Sequence, residues 1–192
     1  MWALLLPAAY VVGTFPSAEL VARANGVDIT TYGSGNPGAS NVTRALGWRK
    51  GVWVFALDAA KGAAAAGLGL AAGGRVAAYA LGAAAIVGHI APVTRNFRGG
   101  KGVATGGGVL AVIHPIGFAV VTVVWWVLGR VTGKAAVGSI VAVCLVPVGL
   151  AIVGAPAWEF AGTLALCLLI VARHAGNVRR LVRREEPELT GR

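Results

Sequence analysis

The chain has 192 residues, of which 57% are apolar and only 12% charged, and its mean hydropathy is +0.75. A water-soluble domain carries about 25% charged residues, so the composition excludes a soluble globular domain and points to an integral membrane protein. The net charge of +10 falls between apolar runs, a pattern that sets orientation in a membrane, and no nucleic-acid partner is expected.

The first expected span covers residues 2–21. Pro16, inside Gly13-Thr14-Phe15-Pro16-Ser17-Ala18, predicts a kink. Glu19 and Arg23 stand four apart and are expected to pair at the end of the span. No basic region precedes Leu4-Leu5-Leu6, so no cleaved signal peptide is expected. A polar stretch follows over residues 28–50. It is too polar for lipid and too rich in glycine for continuous helix. The hydroxyls, amides and Arg44 of its 33–44 part suit an oxyanion partner, and equally a plain turn-rich loop.

A second span is expected over residues 52–72. Asp58 and Lys61 lie three apart on one helical face, and charges inside a span pair and face the protein interior. A structural pair is the favoured reading over a substrate contact. A third span, residues 76–93, carries His89 near its far end, where a lone histidine reads as a structural hydrogen-bonder.

The stretch Arg95-Asn96-Phe97-Arg98-Gly99-Gly100-Lys101-Gly102 comes next, with cations and glycines interleaved. Glycines let backbone N–H groups converge on an anion, and Arg and Lys add full charges. The apolar run beginning at Val103 would aim a helix N-terminus at the same place. This is the expected phosphate cradle; a flexible basic loop is the alternative. It is not a Walker loop, because Gly102 stands where that motif needs Ser or Thr.

Residues 103–128 carry no charge. Two short segments, broken at His114-Pro115-Ile116-Gly117, are preferred over one tilted span; a re-entrant hairpin is also compatible. Further spans are expected over residues 135–153 and 157–171. If residues 103–128 go across and back, nearly all of the 17 Lys and Arg share one side and only Arg75 falls on the other. The positive-inside rule then gives about seven short transmembrane helices, an outside N-terminus and a cytoplasmic C-terminus. The expected fold is an all-α, polytopic membrane helical bundle of one domain. Cys144 and Cys167 read as small hydrophobes.

This parity puts three polar clusters on the cytoplasmic face: residues 34–44, 95–105 and 173–177. His174 and Asn177 are three apart and share a face if the helix continues. Beyond them Arg183-Arg184-Glu185-Glu186-Pro187 reads as a solvated tail near anionic headgroups. No metal-ligand set or Ser-His-Asp arrangement is visible. The fifth residues after His89, His114 and His174 are Thr94, Ala119 and Arg179, so there is no His-x₄-Asp pair. Such a site suits phosphate binding, and it can transfer a group that is already activated, by positioning and charge stabilisation. A transporter of a phosphorylated metabolite and a non-catalytic lipid-headgroup binder are the rival readings.

The motifs resemble those of one family, in order and over nearly the whole chain. Gly13-Thr14-Phe15-Pro16-Ser17-Ala18 resembles G-S-I-P-S-A. Gly33-Ser34-Gly35-Asn36-Pro37-Gly38-Ala39-Ser40-Asn41 resembles G-S-G-N-x-G-A-T-N, and Asp58-Ala59-Ala60-Lys61-Gly62 resembles D-x-x-K-G. Gly88-His89-Ile90-Ala91-Pro92, with Phe97-Arg98-Gly99-Gly100-Lys101-Gly102-Val103-Ala104-Thr105, resembles G-H-x-F-P…F-K-G-G-K-G-V-A-T. Arg173-His174-x-x-Asn177-Val178-x-Arg180-Leu181 resembles R-H-x-x-N-I-x-R-L. These are motifs of the PlsY family, bacterial membrane glycerol-3-phosphate acyltransferases that use acyl phosphate. Ala91 replaces the usual Phe, Ser40 the usual Thr and Arg98 the usual Lys. The segment ending at Ser139 matches the family's Ser-Leu-Gly-Ser region weakly.

The resemblance implies transfer of an acyl group from acyl phosphate to the sn-1 hydroxyl of glycerol 3-phosphate, giving lysophosphatidic acid and inorganic phosphate. It implies no cofactor, no coenzyme A and no acyl carrier protein. It implies a monomer among membrane lipids of the bacterial plasma membrane, with its active site on the cytoplasmic face. Ser34, Asn36, Ser40, Asn41, Gly99, Gly100, Lys101 and Gly102 are the expected acyl-phosphate contacts. Arg44, Lys101, Ser139, His174 and Asn177 are the expected glycerol 3-phosphate contacts. The catalytic set is His174, Asn177, Lys101, Arg44 and Ser34.

Overall fold

A computed structural model describes residues 1–189, and among them every regular element is helical. Two compact units form, Met1–His114 and Pro115–Leu189.

The first unit opens with a 3₁₀ turn, Trp2–Leu5, leading into α1 (Leu6–Gly13) and α2 (Ser17–Arg23). The break between them is the expected kink, since Pro16 has no N–H to continue the ladder. After the polar loop come α3 (Ala39–Leu46) and the long α4 (Trp48–Ile90). α4 is two helices in one run, interrupted at Gly73-Gly74, where Gly74 has φ 69°. Its halves fold back on each other: Ala65 from one and Leu81 and Ala85 from the other share a buried cluster with Ala9 of α1. The last helix of the unit, α5 (Val103–Ile113), lies against α4. Small residues make that contact. A Cβ on Gly62 would run into the Thr105 carbonyl, and one on Gly108 into the Ala59 carbonyl. Helices in lipid gain stability from such backbone approach, because burial of apolar surface contributes little there.

The second unit consists of α6 (Pro115–Thr132), α7 (Ala135–Ile152), α8 (Ala157–Ala172) and α9 (Ala175–Val182). α7 packs on α6 and on α8. α6 turns Ile116, Val120, Val123 and Trp126 outward, an apolar surface that suits lipid and not water. Near its end the Arg130 guanidinium stacks on the Trp126 ring, 5.6 Å from its centroid.

Among the described residues four helical stretches are long and apolar enough to cross a membrane: Trp2–Arg23, Trp48–Arg95, Pro115–Thr132 and Ala135–Ile152. A fifth is the α8–α9 pair, bent by 53°, if it counts as one.

Several expectations need correction. The break at His114-Pro115 is present, but α6 runs to Thr132 and reaches 18 residues, so only the 11-residue α5 is a short piece. Proline suits the first turn of a helix, so it starts α6 there as well as ending α5. Glu19 bonds Arg95 Nη1 at 2.7 Å, and not Arg23, its neighbour in sequence. Arg95 is thereby a structural cation of the loop. In the segment after α9, Arg183, Arg184 and Glu185 are exposed as expected, but Glu186 is buried, as described below.

Candidate active site

The first unit supplies two polar loops. In the earlier one, the Asp28 carboxylate accepts bonds from the Thr30 N–H (2.9 Å) and hydroxyl (2.6 Å). These bonds hold the Asp28 carboxyl below its ordinary value. Asn41, 1% exposed, staples the loop from inside. Its Nδ2 donates to the carbonyls of Ile29 and Tyr32, and its Oδ1 accepts from the Ser34 N–H. The carboxamide of Asn41 is thus engaged with backbone on both sides. Around it Ser34, Asn36, Ser40 and Arg44 are half-buried. Ser40 and Arg44 are one turn apart on α3 and so share a face.

The later loop is anchored at Arg95, whose Nη2 also donates to the Thr14 carbonyl at 2.9 Å. Arg98 is exposed and Lys101 half-buried, while Gly99, Gly100 and Gly102 are buried. The Gly100 N–H donates inward to the His89 carbonyl at 3.1 Å. It is therefore not among the donors that face outward. The amides that suit an anion lie one step on. Gly102 caps α5 with φ 89°, and no side chain bonds the helix end. The first helical bond there is Gly106 N–H to the Gly102 carbonyl, so the N–H groups of Val103, Ala104 and Thr105 precede the ladder. An uncapped N-terminus with a positive dipole end, next to Lys101, suits an anion.

The second unit holds Ser139, His174 and Asn177, all buried. The Ser139 hydroxyl oxygen accepts from the Trp125 indole N–H at 3.0 Å, which leaves the hydroxyl proton to be donated. The His174 Nδ1 lies 2.8 Å from the Ile170 carbonyl. A carbonyl only accepts, so Nδ1 carries a proton. Asn177 Nδ2 donates to Glu186 Oε1 at 2.7 Å, and Arg180 Nε donates to Glu186 Oε2 at 2.8 Å. Lys134 Nζ takes the Glu186 main-chain carbonyl at 2.6 Å, and the Leu189 N–H takes that of Gly133 at 2.7 Å. The C-terminal segment is therefore a strap folded onto its own unit, with Glu186 only 3% exposed. Sequence reasoning missed Glu186, because two acids among arginines look like a solvated charge run. It also missed that His89 joins Asp58 and Lys61, since no local spacing links residues on the two halves of α4.

The polar loops thus carry hydroxyls, amides and cations, with an uncapped helix end in one unit and a buried histidine and asparagine in the other. Residues 3–184 match the family model described as glycerol-3-phosphate acyltransferase.

The chain belongs to the glycerol-3-phosphate acyltransferase family. It is 42% identical to a glycerol-3-phosphate acyltransferase of Anaeromyxobacter dehalogenans, over 97% of this chain and 96% of that protein. With glycerol-3-phosphate acyltransferase 1 of Deinococcus radiodurans it shares 39% identity, over 93% of this chain and 90% of the relative. The fold superimposes on the crystal structure of PlsY (YgiH), an integral membrane glycerol 3-phosphate acyltransferase, in its glycerol 3-phosphate form. The TM-score is 0.93 at 34% identity, with 97% of this chain and 94% of that chain covered. The lysophosphatidic acid form of the same protein gives a TM-score of 0.90. This chain is accordingly an acyltransferase of the membrane, built from apolar helices, and its place is in lipid synthesis.

Proposed function

We propose that the chain transfers an acyl group from acyl phosphate to the sn-1 hydroxyl of glycerol 3-phosphate, giving 1-acylglycerol 3-phosphate (lysophosphatidic acid) and inorganic phosphate. The observation that carries this reading is the uncapped, glycine-led N-terminus of α5 beside Lys101, which suits a phosphate on one substrate or the other. The glycerol 3-phosphate and lysophosphatidic acid forms of the similar crystal structure support the acceptor and the product. Acyl phosphate as donor rests on the motif resemblance, and a phosphate-binding site accords with it. A mixed anhydride is already activated, so the site needs neither a covalent intermediate nor a strong acid.

In this reading Ser34, Asn36 and Ser40, together with the backbone of Gly99, Lys101 and Gly102 and the start of α5, hold the acyl phosphate, while Gly100 is held inward by His89. Asn41 serves by holding their loop. Arg44, Lys101, Ser139, His174 and Asn177 receive glycerol 3-phosphate. The substrate hydroxyl oxygen bonds the acyl carbon, the bond from that carbon to the phosphate oxygen breaks, and phosphate leaves. The hydroxyl proton passes either to His174 Nε2 or to a phosphate oxygen of the substrates. The acyl chain stays among the helices, as a substrate drawn from the bilayer should. We further assign the protein seven passes, an outside N-terminus and a cytoplasmic C-terminus. It works as a monomer at the cytoplasmic face of the plasma membrane, without coenzyme A or acyl carrier protein.

The test is phosphate release by detergent-purified protein given palmitoyl phosphate, with and without glycerol 3-phosphate. Release that needs both substrates and yields lysophosphatidic acid is expected. Folded protein that releases none, yet moves labelled glycerol 3-phosphate across a vesicle membrane unchanged, would make it a transporter. Binding without release or movement would make it a headgroup binder.

A further inference from the structure

We propose that Asp58 and Lys61 act through His89 as positioning residues for the loop of residues 99–102. The inference rests on the phosphate role given to that loop above. The three side chains come from the two halves of α4 and are buried, with 2%, 6% and 6% of their surfaces exposed. Lys61 Nζ lies 2.7 Å from Asp58 Oδ1, 2.9 Å from the Phe15 carbonyl and 3.2 Å from His89 Nδ1. An ammonium has three protons and no lone pair. Its three contacts therefore use all its donors, and His89 Nδ1 has to accept. That fixes the tautomer: His89 is neutral and its proton sits on Nε2. The 3.6 Å separation of Asp58 Oδ1 from His89 Nδ1 is too long for a hydrogen bond and agrees with a nitrogen that carries no proton.

The other edge of the ring meets the loop. A Cβ on Gly100 would collide with His89 Nε2 and its two neighbouring ring carbons. The backbone of the same histidine holds Gly100 a second time, because its carbonyl accepts the Gly100 N–H. His89 thus grips the loop by ring and by main chain, and Lys61 sets which ring edge presents a proton to it. The kink of the first span is the other anchor. Lys61 takes the Phe15 carbonyl and Arg95 takes the Thr14 carbonyl, so a cation from the triad and one from the loop dock on adjacent carbonyls.

Burial of charge argues for a positional role. A buried ion pair stabilises no better than apolar side chains of the same volume. It does provide direction, which the loop needs if an error of an ångström costs about a hundredfold in rate.

The test uses the full chain in detergent micelles. ¹⁵N spectra of the histidine rings, with the His89 signal identified by its loss in His89→Gln, are expected to show a neutral, Nε2-protonated ring that Lys61→Met perturbs. Hydrogen exchange over residues 95–105 is expected to quicken in Lys61→Met while residues 103–113 of α5 stay slow beyond their first turn. The same variant is expected to lower kcat/KM for one phosphorylated substrate by roughly ten- to a hundredfold, with a raised KM. If Lys61→Met does not fold, Gly100→Ala and His89→Ala decide the matter. Gly100→Ala alone loses activity through its clash, and His89→Ala restores part of that loss in the double variant. A ring protonated on Nδ1 or on both nitrogens overturns the proposal. So does unchanged loop exchange and KM in a folded Lys61→Met, or strict additivity in the Gly100–His89 pair. If the wild-type protein releases no phosphate, the functional reading fails by itself, and the spectra and exchange still judge the positioning.

Discussion

Glu186→Ala isolates the C-terminal strap. The carboxylate accepts one bond from Asn177, which is 4% exposed, and one from Arg180, whose side chain is 32% exposed. Removing it leaves the Asn177 amide buried without that acceptor, which costs about 1.5–3 kcal/mol. Arg180 can turn to solvent, so its share is screened to roughly 0–1 kcal/mol. The total is roughly 1.5–4 kcal/mol, or a fall in Tm of roughly 3–16 °C for a chain of this size. Glu186→Gln keeps one acceptor and should lose about half as much. The assay is thermal unfolding in detergent, paired with kcat/KM for glycerol 3-phosphate. Activity should fall in the Ala variant even at temperatures where it is folded, since the Asn177 carboxamide is then free to flip. An Ala variant that melts within about 2 °C of wild type with unchanged kcat/KM would refute the idea that the strap holds Asn177.

Gly108→Leu should push α5 off the Ala59 carbonyl and destabilise by about 1–3 kcal/mol, read as a lower Tm and poorer yield of folded protein. Arg184 has φ 60°, so Arg184→Gly should relieve roughly 1 kcal/mol and raise Tm by about 2–4 °C. Lys101→Ala should cut kcat/KM by roughly a hundredfold or more, a loss of about 3 kcal/mol of charge stabilisation, with Tm unchanged. Asp28 has a lowered carboxyl value in the folded state, so its stabilisation is present above the ordinary value of 3.8 and is lost as pH falls through the folded one. The Tm gap between wild type and Asp28→Ala should therefore narrow on acidification below that point.

What sequence could foresee here was local. Pro16 and His114-Pro115 interrupt helices for reasons contained in the backbone itself, the gap between the expected spans 52–72 and 76–93 falls at Gly73-Gly74, and each interruption is present. The helical class follows from apolar run length and from charge confined to the ends of runs. Partners were legible only when the rule that predicts them is local. Asp58 and Lys61 pair at three residues' spacing as expected, but Glu19 bypasses Arg23 for Arg95, a partner 76 residues away. Nothing in a helical repeat encodes that choice. It depends on the loop coming back to the kinked span. The glycines of the loop were read as a nest, yet two of them are glycine because a histidine ring and carbonyl press against them. A glycine shows that space is short or that φ is unusual, and the sequence does not say which.

The break in α4 bears on how the chain enters its bilayer. Its turn is made at Gly73-Gly74, with no loop between the halves. The second half, residues 75–90, is shorter than the roughly 20 residues that cross a bilayer unaided. It also carries His89, which meets its hydrogen-bonding partner Lys61 on the first half. The two halves are close to a minimal closure distance, so bringing them together costs little chain entropy. Closing that hairpin gives the Asp58–Lys61 pair, already formed within the first half, its third partner in His89. A spacer between Gly73 and Gly74 would lengthen the loop to be closed and so raise the entropic cost of that third contact.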